Sequence, residues 1–153
     1  RPIAAFSFGR EDQRVVAGPS VELLDRRNEI ATYRAADRDP FFLLGAEPLP
    51  TREVRVVRFR MRCRADGYVF AQLYWSHGPE EPFSEEKSVQ VPLQATDDQW
   101  REYVLRIDDT ERSRVWDAGA LIHHLRFDPV NVAATIELRD LFLCGPDPTE
   151  RLT

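Results

Sequence analysis

Apolar residues in this chain recur mostly with a period of two, which predicts strands rather than helices. The clearest run is Glu53 to Arg64, where Val57, Phe59, Met61 and Cys63 alternate with Arg58, Arg60, Arg62 and Arg64. Ile3 to Phe8, Lys87 to Leu93, Trp100 to Ile107, Ile122 to Phe127 and Ala134 to Leu143 also read as strands, and Val21 to Leu24 and Ile30 to Tyr33 are shorter candidates. Asp39-Pro40-Phe41-Phe42-Leu43-Leu44 is an apolar run opened by a proline and closed by Gly45 and Pro48. Asp66-Gly67 has the chemistry of a tight turn, so Glu53–Arg64 is expected to pair with Tyr68–Trp75 as a hairpin. Gly78, Pro79 and Pro82 make His77 to Phe83 a loop, Thr96-Asp97-Asp98 is a turn, and Asp108 to Gly119 is the only stretch able to hold a helical turn. Roughly seven to nine short strands with almost no helix predict an all-β fold, an antiparallel β-sandwich or jelly roll. The pattern places one sandwich over residues 1–145 and a linker or tail over 146–153.

Composition narrows this picture. At 153 residues with 42% hydrophobic content the chain is long enough for one well-filled core. A net charge of -5 argues against a nucleic-acid partner, and no apolar run reaches a membrane span. The chain starts at Arg1 rather than Met and the first residues lack the order of a secretory leader, so it reads as a piece of a longer or processed protein. Cys63 and Cys144 stand alone, without CxxC or clustered Cys/His spacing. They read as buried free thiols rather than metal ligands, and no metal site is expected.

Several motifs carry a resemblance. Asp39-Pro40-Phe41 precedes the Arg-rich strand; Ala71-Gln72-Leu73-Tyr74-Trp75 and Phe83-Ser84-Glu85-Glu86 follow it. Trp100-Arg101-Glu102-Tyr103-Val104, Leu125-Arg126-Phe127-Asp128-Pro129 and Ile136-Glu137-Leu138 complete the order. This series resembles the galactose-binding-like β-sandwich shared by many carbohydrate-binding modules, including domains appended to bacterial glycosyltransferases and polysaccharide-active enzymes. The resemblance implies a noncatalytic accessory domain that binds a glycan beside a covalently linked neighbouring domain. With unpaired cysteines, the glycosyltransferase context leans towards a cytoplasmic setting. Many such modules hold a structural calcium, but the first strand here has no acid before Glu11, and Asp140 alone is a poor ligand set. No cofactor is therefore expected.

The candidate ligand-binding residues follow from faces. Gln72 and Tyr74 lie on the side of their strand opposite Val69, Ala71 and Leu73. Trp75 ends that strand beside the loop and is a candidate stacking ring, although alternation also puts it with the core. Arg126 and Asp128 share a face with His124 and suit vicinal hydroxyls, or each other. The simpler alternative pairs them with Glu102 or Glu137 on a neighbouring strand. His123 is assigned to the apolar face as a core histidine. Glu85 belongs to the Phe-Ser-Glu motif and is expected to point back to the sheet, whereas Glu80, Glu81 and Glu86 read as a solvated loop. The arginine stripe is expected to be neutralised by acids on adjacent strands. No catalytic residue is assigned: Gly-x-Ser-x-Gly, HExxH and a Gly-rich phosphate loop are all missing. The competing reading is a structural or protein-interaction sandwich without a sugar ligand.

Overall fold

The computed structural model describes residues 2–37, 39–108 and 111–146. Its strands are β1 (Pro2–Ser7), β2 (Val15–Ala17), β3 (Val21–Arg27), β4 (Ile30–Ala35), β5 (Phe42–Pro50), β6 (Val56–Cys63), β7 (Phe70–Ser76), β8 (Ser88–Pro92), β9 (Arg101–Arg106), β10 (Leu121–Asp128) and β11 (Ala134–Cys144). A single helical turn, α1, spans Ser113–Asp117. Two antiparallel sheets form a β-sandwich. One has the order β3-β4-β11-β6-β9, with β1 also pairing with β11, and the other runs β2-β5-β10-β7-β8. The proposed tail falls largely at 147–153, outside the described residues.

Inward side chains from both sheets meet in one core. Phe8, Tyr33, Phe42, Phe59 and Phe127 pack mostly edge-to-face, with Phe59 of β6 and Phe127 of β10 joining the two sheets at 4.9 Å between ring centroids. Trp75 and Trp116 close the other end in a T-shaped contact at 5.1 Å, and the Trp116 indole N–H donates to the Thr51 carbonyl at 2.7 Å. Cys63 and Cys144 are buried free thiols near opposite ends of β6 and β11, and burial pushes the Cys63 thiol up to about 11.

The expected hairpin between Glu53–Arg64 and Tyr68–Trp75 does not form. β6 pairs with β11 and β9, whereas β7 pairs with β10 and β8 in the opposite sheet. Both strands have a continuous apolar face, and facing each other across the core buries both. The Asp66-Gly67 turn, with Gly67 at φ 83°, carries the chain from one sheet to the other. β5 also runs on past Gly45 and Pro48, which were expected to end it. Its outer neighbour β2 pairs only with Phe42–Leu44, so the proline lies where one edge of β5 is uncovered and a missing N–H breaks no ladder on that side. The arginine stripe is neutralised as expected at Arg58, which meets Glu102 at 3.3 Å, and at Arg62, which meets Asp98 at 3.1 Å and Glu137 at 3.6 Å.

Candidate ligand-binding site

The site is built on the outer face of the five-stranded sheet. Register places Asp128 opposite Gln72, Arg126 opposite Tyr74 and Leu43, and His124 opposite Ser76 and Gly45. One side of three adjacent strands thus gathers Leu43 from β5, His124, Arg126 and Asp128 from β10, and Gln72 and Tyr74 from β7. Trp75 faces the other way. It is fully buried beside Trp116, so its assignment as a ligand-facing ring is corrected: strand alternation sends it into the core with Ala71 and Leu73.

The remaining five predicted residues form two linked hydrogen-bonded groups. Gln72 Nε2 donates to Glu85 Oε2 at 3.0 Å and to the Ser88 hydroxyl at 2.8 Å, and the Tyr74 hydroxyl donates to Glu85 Oε1 at 2.8 Å. These bonds hold the Glu85 carboxyl below its ordinary range, while burial and the Glu85 carboxylate push the Tyr74 hydroxyl up. Arg126 forms a fork with Asp128, with Nε to Oδ1 at 2.9 Å and Nη2 to Oδ2 at 3.0 Å, and reaches Asp39 Oδ1 at 2.6 Å. Burial raises the Asp128 carboxyl and outweighs the lowering effect of Arg126. For Arg126, burial opposes the charge, yet the bonds and charges of Asp128 and Asp39 prevail and strengthen its hold on the proton. The guanidinium also lies 4.4 Å from the centre of the Phe41 ring and 5.1 Å from that of Tyr74, within cation–π range. Glu102 and Glu137, the alternative partners for Arg126 and Asp128, belong to the opposite sheet.

Burial shows which part of this face can meet a ligand. Gln72 and Tyr74 are only 4% and 9% exposed, because the segment Phe83–Ser88 lies across β7 and clips to it through Glu85. The open part lies on the β2–β5–β10 side. There Val16 and Leu43 are 54% and 41% exposed, and with Gly45, Phe83 and His124 they line a shallow groove of about 230 Å³. Arg126 is the register partner of Leu43 and holds Asp39, whose carboxylate is well exposed. Phe83 packs near Tyr74 with ring centroids 6.4 Å apart, while His124 is fixed by donation from Nε2 to the Pro79 carbonyl at 3.1 Å. Val16, Leu43 and Asp39 escaped assignment as ligand contacts. The signal was present: once Phe42 and Leu44 are taken as core, alternation turns Phe41, Leu43 and Gly45 outward. His123 is half-buried rather than in the core, since a register shift between Ile122 and His124 hands the inward position to Ile122.

No group of three or more His, Cys, Asp or Glu side chains that could hold a metal is assembled among the described residues. The two carboxylates that do converge, Asp39 and Asp128, are bridged by the Arg126 guanidinium. Glu81, in the loop, is engaged by Lys87 at 2.6 Å and by the His77 amide, which hold its carboxyl below the ordinary range. No helix among these residues is long and apolar enough to cross a membrane.

No protein-family model matches the chain, and no curated protein sequence is similar to it. Solved structures do resemble it. A mutant of a family 29 carbohydrate-binding module superposes with a TM-score of 0.58 at 11% identity, covering 93% of this chain and 92% of that one. A low-affinity xylan-binding module of family 86 from Roseburia intestinalis gives 0.52 at 14% identity, covering 94% and 95%. A family 6 module from Clostridium stercorarium in complex with cellobiose gives 0.52 at 8% identity, covering 94% of each chain. At such identities the likeness is one of fold.

Proposed function

We propose that this chain is a noncatalytic carbohydrate-binding accessory domain of a larger polysaccharide-active enzyme, a glycosyltransferase on the resemblance of its motifs. The observation that carries this reading is the open groove on the outer face of β2, β5 and β10, which combines apolar surface with fixed polar groups. Val16, Leu43 and Phe83 offer contact for the apolar face of a pyranose ring, His124 in the lining presents a polar group, and Arg126 beside Leu43, with Asp39, offers more for hydroxyls that reach past the groove. The sandwich is of the type seen in modules of families 6, 29 and 86. The groove is shallow and small, which supports weak binding whose value is to raise the local concentration of glycan near a linked domain. A noncatalytic role is supported by the state of the carboxylates. Asp39 and Asp128 are both committed to Arg126, and Glu85 is committed to Gln72 and Tyr74. None is paired with another acid in the way glycoside hydrolysis requires.

Affinity electrophoresis in gels containing soluble neutral polysaccharides tests the reading. At least one polysaccharide is expected to retard the domain, and Leu43→Glu is expected to abolish the retardation without lowering the melting temperature. Migration unchanged by every polysaccharide would favour a structural role for this face.

A further inference from the structure

The opposite face of the sandwich carries a second groove. β11 shifts register against β6 between Leu138 and Leu141, so two residues, Arg139 and Asp140, stand against Arg60. The bulge is pinned from behind, where the Phe8 and Gly9 amides both donate to the Arg139 carbonyl, at 2.8 and 3.3 Å. In front it opens a cavity of about 330 Å³ lined by Arg58, Arg60, Glu102, Arg139, Asp140 and Phe142. That volume is in the range of small-molecule sites. A second hollow of about 180 Å³ shares Arg60, Glu102 and Arg139 with the first and extends to Trp100 and Arg101. The two make one continuous groove.

The charge in this groove differs from that of the whole chain. Four arginines and two carboxylates line it, in a protein of net charge -5. The carboxylates that engage Arg58 and Arg139, at 3.3 and 3.6 Å, form exposed pairs that hold little energy and yield readily to a better partner. Arg60 is exposed and has no carboxylate within ion-pair distance among the described residues. Arg101, at the Trp100 end, pairs with Asp97 through Nη2, while its Nε–H is buried without a hydrogen-bond partner. Trp100 itself is 36% exposed, enough to offer a ring face.

We propose that this groove binds an acidic saccharide, with a uronic acid ring lying against Trp100 and its carboxylate received by Arg60 and Arg139. A guanidinium matches a carboxylate in two parallel hydrogen bonds, and an aromatic face receives the C–H surface of a sugar ring. Glu102 and Asp140 supply acceptors for sugar hydroxyls. The inference is independent of the reading of the five-stranded sheet, because the two grooves lie on opposite outer faces.

Amide NMR titration of the labelled domain tests it, with a galacturonic acid trimer, a neutral galactose trimer and inorganic phosphate as separate probes. The acidic trimer is expected to shift residues 58–60, 100–102 and 139–142 in a saturable way at millimolar concentration. It should bind at least roughly tenfold more tightly than the neutral trimer, with affinity falling as salt is added. Arg60→Gln and Trp100→Ala are each expected to weaken it roughly tenfold at unchanged melting temperature. No shifts at these positions would overturn the proposal. So would equal affinity for the neutral trimer, saturation by phosphate at equal affinity, or wild-type affinity in Arg60→Gln. Residues 41–45, 83 and 124–126 report the other face in the same spectra, so a failure there is read separately.

Discussion

A Cβ built on Gly9 would sit 1.8 Å from the carbonyl oxygen of Glu29, at the turn between β3 and β4. That turn already holds Asn28 and Glu29 at positive φ, of 55° and 63°, the two-residue geometry that suits the twist of a tight hairpin. Neither backbone can retreat cheaply, so Gly9→Ala is expected to cost about 2 kcal/mol or more, measured by chemical denaturation. Trp75 is the opposite case. Its place in the core predicts that Trp75→Ala loses about 3–5 kcal/mol of stability, whereas Trp75→Phe, which keeps the fold, leaves glycan retardation as it was. A fall in retardation with Trp75→Phe at intact stability would contradict the placement. Trp75 also shows what a pattern of alternation can decide. Its face was readable from Val69, Ala71 and Leu73, and only its position beside a loop pointed the other way.

Among the elements, the segment Phe83–Ser88 decides how much of the outer face of β7 meets solvent. Sequence alternation correctly sends Gln72 and Tyr74 away from the core, but whether an outward side chain meets solvent or another segment is a tertiary fact that period-two patterning does not carry. Here Glu85 folds back and covers them. The clip has a pH window whose edges follow from the two shifts. The Glu85 carboxyl lies below its ordinary value, so its contribution is present above about pH 4.3 and is lost as pH falls through the depressed value. The Tyr74 hydroxyl is shifted upward, so its contribution is present below about pH 10 and is lost only as pH rises through the raised value. Hydrogen exchange of residues 83–88 is therefore expected to keep constant protection, corrected for intrinsic rates, across neutral pH and to lose it on acidification. Glu85→Ala is expected to remove that protection at neutral pH and to cost about 1–2 kcal/mol. Protection unchanged in the variant would show that Glu85 does not hold the segment. The mistaken hairpin has a related cause. Asp66-Gly67 signals a turn, but a local turn does not say whether the chain returns in its own sheet or crosses the core.

For the whole molecule, the sandwich was legible because strand periodicity recurs through most of the chain and apolar faces on so many strands leave little choice but two packed sheets. The candidate site was legible in part, as a strand face rather than as a groove. Register placed Arg126 beside Tyr74 and Asp128 beside Gln72, and these pairs turned inward on one another instead of outward to solvent. What they build is a hydrogen-bonded patch beside the groove. The accessible surface beside them belongs to Val16, Leu43, Phe83 and His124, which converge from three strands and a loop far apart in the chain. The β2–β5–β10 groove is thus the surface proposed to bind a neutral glycan. Amide NMR with a neutral cello- or xylo-oligosaccharide at millimolar concentration tests that claim most directly. Saturable shifts concentrated at Val16, Leu43–Gly45, Phe83 and His124–Arg126 are expected; no movement of these resonances with any neutral oligosaccharide, or shifts that fall elsewhere on the sandwich, would overturn the proposal.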